Sequence, residues 1–289
     1  LALGWQKAGA ENESSQETWS LLPMSAHGQL YKVMILYKYM SLATAQTILA
    51  TNRIGFSRAS FLNDPFDTPV AAPIPTSDPI EGLFASISAQ GKSMVWEQNT
   101  AFLSLTRTIT NSLMWSHYAD SHRGVALAIN TATAGFLNLE TNLIPAHFGS
   151  VIYSRHRPSG PYYSSFTTPI PVGGLHRFAL DHYEKWQRMF LTKPIEWAYE
   201  EEVRVAKCVR GLKLGNGKND SGSCTVIDLG SGRLLHCFDV PATSISGIYF
   251  GARVTDIQIA ETIKGHPGLQ AARARLDQNR FAIDLIPFN

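Results

Sequence analysis

The stretch Trp197-Ala198-Tyr199-Glu200-Glu201-Glu202-Val203-Arg204-Val205 places three adjacent carboxylates at the start of a run with strand character. Side chains alternate along a strand, so Glu200, Glu202 and Arg204 share one face while Tyr199, Glu201, Val203 and Val205 share the other. Two carboxylates thereby converge beside one guanidinium. Like charges two residues apart raise each other's pKa and a neighbouring Arg lowers it, a combination suited to acid, base or cation-stabilising work. The competing reading is a solvated edge with an ordinary ion pair.

The surrounding pattern is one of short strands and few helices. Strand-type runs fall at 31–40, 53–57, 101–106, 125–129, 148–153, 224–229, 234–240, 245–250 and 281–286. Helical spacing follows the Ser41 cap, with Leu42, Ala45, Ile48 and Leu49 on one side. It recurs after Asp78-Pro79-Ile80-Glu81, where a cap, a first-turn Pro and a third-position Glu start a helix expected to end at Gly91. Further helices are expected over 110–122 and 175–191, and a helical region with a break at Gly265-His266-Pro267-Gly268 precedes the last strand. Asn63-Asp64-Pro65 reads as an Asx-type turn pinned by Phe61 and Phe66. Without regular alternation of strand and helix the class is α+β, a single domain over 29–289 behind a polar tail at 1–28. The loops 69–79 and 157–174 are long enough to act as lids.

Bulk properties narrow the function classes. A 44% hydrophobic content over 289 residues supplies a real core, and a net charge of +2 gives no global case for nucleic acid or acidic membranes. Three cysteines, Cys208, Cys224 and Cys237, without a CxxC pair argue for a reducing compartment and against a disulfide framework or a cysteine-rich zinc site. No apolar run reaches eighteen residues and no signal-peptide layout opens the chain, so a soluble cytoplasmic protein without membrane contact is expected. Leu1 in place of an initiator Met leaves open a segment of a longer polypeptide or an unusual start. His117 and His122, five apart, do not share the helical face that metal binding needs, and a core histidine competes with a catalytic His117. Arg204, Lys207, Arg210, Lys213 and Lys218 run without an intervening acid. They are candidates for an anionic, nucleic-acid contact, against the alternative of a solvated basic hairpin.

Taken together, Leu36-Tyr37-Lys38-Tyr39, Asn63-Asp64-Pro65-Phe66-Asp67, Met114-Trp115-Ser116-His117-Tyr118-Ala119-Asp120 with His122 and Gly124, and Trp197 to Arg204 resemble a bacterial family labelled domain of unknown function 2971, over roughly residues 34 to 255. The layout also looks like a remote version of the ADP-ribosyltransferase fold. That resemblance implies two small twisted, mainly antiparallel sheets forming a cleft for NAD, with helices packed outside. It implies Glu202 as the carboxylate stabilising the ribosyl cation and Glu200 as the group positioning or deprotonating an acceptor. Lys38 and Ser57 match the positions that hold the dinucleotide, with Lys38 standing where Arg or His is more usual. Tyr39 or Phe61 would stack on nicotinamide, Asn63 and His117 would orient substrate, and Arg204 would complete the set. The implied activity is transfer of ADP-ribose from NAD to an unknown macromolecular acceptor, of toxin, effector or defence type. A non-catalytic binding module of the same fold, and a metal-independent nuclease using His117, His122 and Glu202, are the alternatives.

Overall fold

The computed structural model describes residues 33–67, 77–158 and 175–288. The tail expected over 1–28, and most of the loops at 69–79 and 157–174, lie outside the described residues. What is described belongs to one compact unit beginning at Val33.

Strand β1 (Ile35–Met40) leads to Ser41, whose hydroxyl accepts the Thr44 N–H and starts α1 (Leu42–Thr51). Asn52, in the left-handed conformation, ends α1 and turns the chain into β2 (Arg53–Ser57). Asp78 accepts the N–H groups of Ile80 and Glu81 at the start of α2 (Pro79–Asn99). This helix runs through Gly91 rather than ending there. One helical glycine costs about 1 kcal/mol, and the docking of Trp96 on Trp186, ring centroids 4.7 Å apart, offsets it. β3 (Thr100–Thr106) follows, then α3 (Ser112–Tyr118), shorter than the helix expected over 110–122. Asp120, Ser121 and His122 take φ of 46°, 52° and 69°, a left-handed run that no α-helix continues through. Gly124 then passes so close to the Met40 carbonyl that a Cβ would lie 2.2 Å from its oxygen, and β4 (Val125–Asn130) begins.

β5 (Ile152–Ser154) and α4 (Tyr183–Phe190) are shorter than the strand and helix expected at 148–153 and 175–191, and β6 (Thr192–Pro194), a strand not among the expectations, pairs with β5 in parallel. The chain continues as β7 (Glu202–Cys208), β8 (Gly215–Asn219), β9 (Gly222–Asp228), β10 (Leu234–Asp239), β11 (Ile245–Phe250), α5 (Asp256–Lys264), β12 (Gln270–Leu276) and β13 (Ile283–Pro287). β12 departs from expectation because Ala-Ala-Arg-Ala-Arg has helical propensity. Pairing with β11 on one side and β13 on the other overrides it.

The fold is a mixed α+β architecture with a large, mainly antiparallel sheet, which corrects the expectation of two small sheets. Its hydrogen-bonded path runs β13-β12-β11-β4-β1-β3-β2-β10-β9-β8, with β7 added on β3. β3 makes this one sheet. It meets β1 only at Tyr37 and Thr106, and β2 only at Ser57 and Phe102, so β1 and β2 lean on opposite ends of one β3 edge and part between them. Both are antiparallel to β3 and hence parallel to each other, as the α1 crossover requires. β7 takes the other β3 edge along its whole length, from Thr100 opposite Cys208 to Thr106 opposite Glu202.

Two apolar layers flank the centre of the sheet. Val203 and Val205 join Leu36, Phe56, Leu103 and Leu127 in the larger core. On the other face Ala206 packs with Phe102, Trp186 and Phe190. The outer edge of β7 is closed by 143–151, where Arg204 N–H donates to the Gly149 carbonyl at 2.8 Å and Val151 N–H to that of Glu202 at 3.1 Å. Only glycine fits at 149, because a Cβ would lie 2.0 Å from the Arg204 carbonyl oxygen. Every residue of β7 is therefore buried, its charged ones included. No helix among the described residues is long and apolar enough to cross a membrane.

Candidate functional site in the sheet cleft

Where β1 and β2 part, a cavity of about 220 Å³ opens. Tyr37, Lys38 and Tyr39 line it from β1, Ser57 from β2, Ser104 and Thr106 from β3. Its floor is ionic. Glu202 opens β7, while Glu200 ends a 3-10 turn over Ile195–Glu200 and not a strand. Glu201 between them has φ 45°, so the chain jogs there and its side chain points to solvent. The outcome expected from simple alternation, Glu200 and Glu202 together and Glu201 apart, is reached by a different backbone route.

Lys193, on β6, joins the two carboxylates: its Nζ lies 2.5 Å from Glu200 Oε2 and 3.3 Å from Glu202 Oε2. The Arg204 guanidinium, 2% exposed, donates from Nε to Glu202 Oε1 at 2.8 Å and from Nη2 to Oε2 at 3.0 Å. It also reaches Asp67 Oδ1 at 2.7 Å and the Phe190 carbonyl at 2.8 Å. Burial opposes ionisation of Glu202, but Arg204 and Lys193, with bonds from Arg204 and Ser104, hold its pKa down to about 2. Burial likewise disfavours the Lys193 and Arg204 cations, and the adjacent carboxylates more than reverse this, leaving both pKa values raised. The floor is thus a fixed chain of ions. Buried charges are tolerated when each is paired and hydrogen-bonded, as these are.

Glu200 is held differently. Its other oxygen accepts the Tyr118 hydroxyl, placed there by the last residue of α3. Asn111 caps that helix with Oδ1 and ties it to the 3-10 turn by donating Nδ2–H to the Tyr199 carbonyl at 2.9 Å. Asn63 bonds the Tyr118 hydroxyl from the rim. Burial, followed by the bond to Glu200, pushes the Tyr118 pKa up, so it stays a neutral donor. Asp64 forms the expected Asx turn, accepting Phe66 N–H at 2.9 Å, but Phe66 is exposed and does not pin it.

Lys38 donates to the Ser104 carbonyl at 2.9 Å, and burial is the main cause of its lowered pKa. Trp197 lies against the Lys193 ammonium, 4.7 Å from ring centroid to Nζ, and with Phe61 and Tyr37 gives the cavity aromatic walls.

Of the residues singled out in the sequence, the cavity gathers Glu200, Glu202, Lys38, Tyr39, Ser57, Phe61 and Asn63. Tyr39 is also committed elsewhere, edge-on to Trp115 at 5.0 Å and donating to the Thr108 carbonyl. Three assignments are corrected. His117 is exposed, with its ring between those of Tyr118 and Tyr199 at 6.3 and 6.2 Å, and is neither a core histidine nor part of the cavity lining. His122 pairs with Ser116 outside the cavity, so the nuclease trio with Glu202 is not assembled. Arg204 lies behind the lining and holds Glu202 and Asp67 instead of facing a ligand. The basic surface also breaks up: Arg204 and Lys207 are buried, Lys207 donating to the Thr141 and Ser221 carbonyls, and Arg210, Lys213 and Lys218 alone face solvent.

Sequence reasoning missed Lys193, Tyr118, Asp67 and Arg233 as site residues. Tyr118 and Asp67 lie inside motifs already picked out, so their position in those motifs was an available signal. Nothing local marks Lys193 or Arg233.

Searches of curated proteins and of solved structures found no match. Residues 114–205, which begin at the α3 motif and end in the β7 motif that build the cavity floor, match the family described as Protein of unknown function (DUF2971).

Proposed function

We propose that the cleft is the active site of an NAD-consuming enzyme that breaks the nicotinamide–ribose bond and passes ADP-ribose to an acceptor or to water. The observation that carries this reading is Glu200: a buried carboxylate on the floor of an aromatic-walled cavity, bonded once at each oxygen, at a split between parallel strands. In the reaction the C1′–N bond breaks, its electron pair leaves with nicotinamide, and a ribosyl oxocarbenium forms. A carboxylate bonded to a ribose hydroxyl stabilises that cation.

In this reading the role passes from Glu202 to Glu200. Both oxygens of Glu202 are occupied by Arg204 and Lys193, so its charge is cancelled and its acceptor positions are used. Glu202 instead fixes Lys193, which orients Glu200. Trp197 and Phe61 supply flat apolar surface for the nicotinamide ring.

The pairing of every floor carboxylate supports a second reading, in which the cavity binds a nucleotide without reacting. Incubation of purified protein with NAD, with free nicotinamide quantified, decides between them. Release of nicotinamide at a rate above that of buffer is expected. A NAD-dependent rise in Tm without nicotinamide release would establish the binding module, and neither effect at millimolar NAD would refute both.

A further inference from the structure

At the cavity mouth, opposite the ionic floor, stands a cation that the fold itself does not use. Arg233 lies on the turn joining β9 to β10, lines the cavity and is exposed. Its backbone is fixed: its N–H donates to the Gly230 carbonyl at 3.0 Å and its carbonyl accepts from Leu229 at 2.9 Å. The guanidinium has no hydrogen-bond or ion-pair partner among the described residues. This separates it from Arg204 and Lys193, whose charges are consumed by carboxylates. Across the split, Lys38 lines the same cavity from β1, and its ammonium gives one described hydrogen bond, to the Ser104 carbonyl. Two cations with spare donors thus line the cavity, Arg233 exposed at its mouth and Lys38 facing it from inside within electrostatic reach of Glu202 and Glu200, with the Ser57 hydroxyl on the strand between theirs as a further polar group.

We infer that this mouth is a phosphate subsite, with Arg233 as its principal contact and Lys38 as the second. A planar guanidinium presents paired N–H donors that match phosphate oxygens. An anion held there leaves the uncharged part of the ligand directed inward to Asn63, Tyr118 and Glu200, which offer donors and acceptors to sugar hydroxyls. The ligand class is a phosphorylated sugar or nucleotide entering sugar-first, its phosphate remaining at the rim. This deepens the proposed NAD reading by giving the dinucleotide a direction, and the phosphate contact stands or falls separately from that chemistry.

Calorimetric titration of the wild-type protein and of Arg233→Gln with ADP-ribose and with inorganic pyrophosphate tests it. Arg233 is exposed and unpartnered, so the variant is expected to keep the wild-type Tm. Loss of one charge-assisted contact is expected to weaken ADP-ribose binding about tenfold or more and to make the remaining affinity less sensitive to salt. Equal affinity of both proteins for ADP-ribose would overturn the inference while leaving the NAD reading intact. Pyrophosphate binding that depends on Arg233, without ADP-ribose binding, would uphold the subsite and remove the NAD reading. Absence of binding to both anions by the wild type would overturn the subsite itself.

Discussion

β4 and β7 are both interior strands without a solvent-facing residue along most of their length, yet they are built from opposite materials. β4 reads Val-Ala-Leu-Ala-Ile-Asn and is buried through Ile129 by apolar contact alone. β7 reads Glu-Val-Arg-Val-Ala-Lys-Cys and is buried at every position, including Glu202, Arg204 and Lys207. Val203 and Val205 do for β7 what Val125, Leu127 and Ile129 do for β4, filling the larger core. The other β7 face carries ions that a purely structural strand would replace by apolar residues at no loss, since exchanging a buried ion pair for packed hydrophobics is often neutral or stabilising. The contrast marks the cavity side of β7: Glu202 and Arg204 are desolvated together at the cavity floor, whereas Lys207, buried on the valine face against Phe238, and Lys185 on α4 lie away from it.

The largest expected effect breaks the charged strand from within. Arg204→Met leaves the buried Asp67 carboxylate without its cation and Glu202 with Lys193 alone, and is expected to cost about 3–5 kcal/mol at neutral pH. Leu127→Ala in β4 is expected to cost a similar amount, about 2–5 kcal/mol, through a cavity. pH separates them. Without Arg204 the folded-state pKa of Glu202 is held down less, by Lys193 alone, so the wild type loses more stability than the variant as pH falls and the Arg204→Met deficit shrinks. The Leu127→Ala deficit stays constant. Urea denaturation at pH 7 and pH 4.5 measures both, and parallel behaviour of the two variants would dissolve the distinction between the strands.

A smaller effect comes from Glu202 itself. Its folded-state pKa, held at about 2, lies below the ordinary 4.5, so it contributes stability that is fully present above pH 4.5 and is lost as pH falls toward 2. Full loss amounts to roughly 3 kcal/mol. Glu202→Gln is therefore expected to flatten the stability profile between pH 5 and 3, read by chemical denaturation at a series of pH values. An unchanged slope would mean that Glu202 is not the anchored anion of the floor.

The parts of this arrangement legible in the sequence were those set by local chemistry. The Ser41 and Asp78 caps, the bounds of β2 and β11, and the alternation that sends Val203 and Val205 one way and Glu202 and Arg204 the other all follow from neighbours in the chain. Glu200 was placed with Glu202 for a reason the backbone does not use, since Glu201 in the left-handed conformation replaces strand alternation with a jog. Lys193 and Tyr118 reach the floor through the β5–β6 pair and the Asn111 link, contacts between distant segments that no local pattern encodes. β12 was lost for the same reason, its strand state being imposed by β11 and β13. The single sheet was missed because two short contacts, at Tyr37–Thr106 and Ser57–Phe102, decide whether β1 and β2 belong to one sheet or two.

The most direct test sets neighbouring carboxylates against each other in one assay. Glu200 lies on the cavity floor bonded to Tyr118 and Lys193, whereas Glu201, one residue on, is exposed to solvent. With NAD as substrate and nicotinamide release as the readout, Glu200→Gln keeps the shape but removes the charge facing the ribosyl cation, and is expected to lower turnover on the order of a hundredfold. Glu201→Gln is expected to leave turnover within a factor of two, on the order of an ordinary surface substitution. Equal activity of the two variants, or a loss confined to Glu201→Gln, would contradict the assignment of the cleft as the catalytic site.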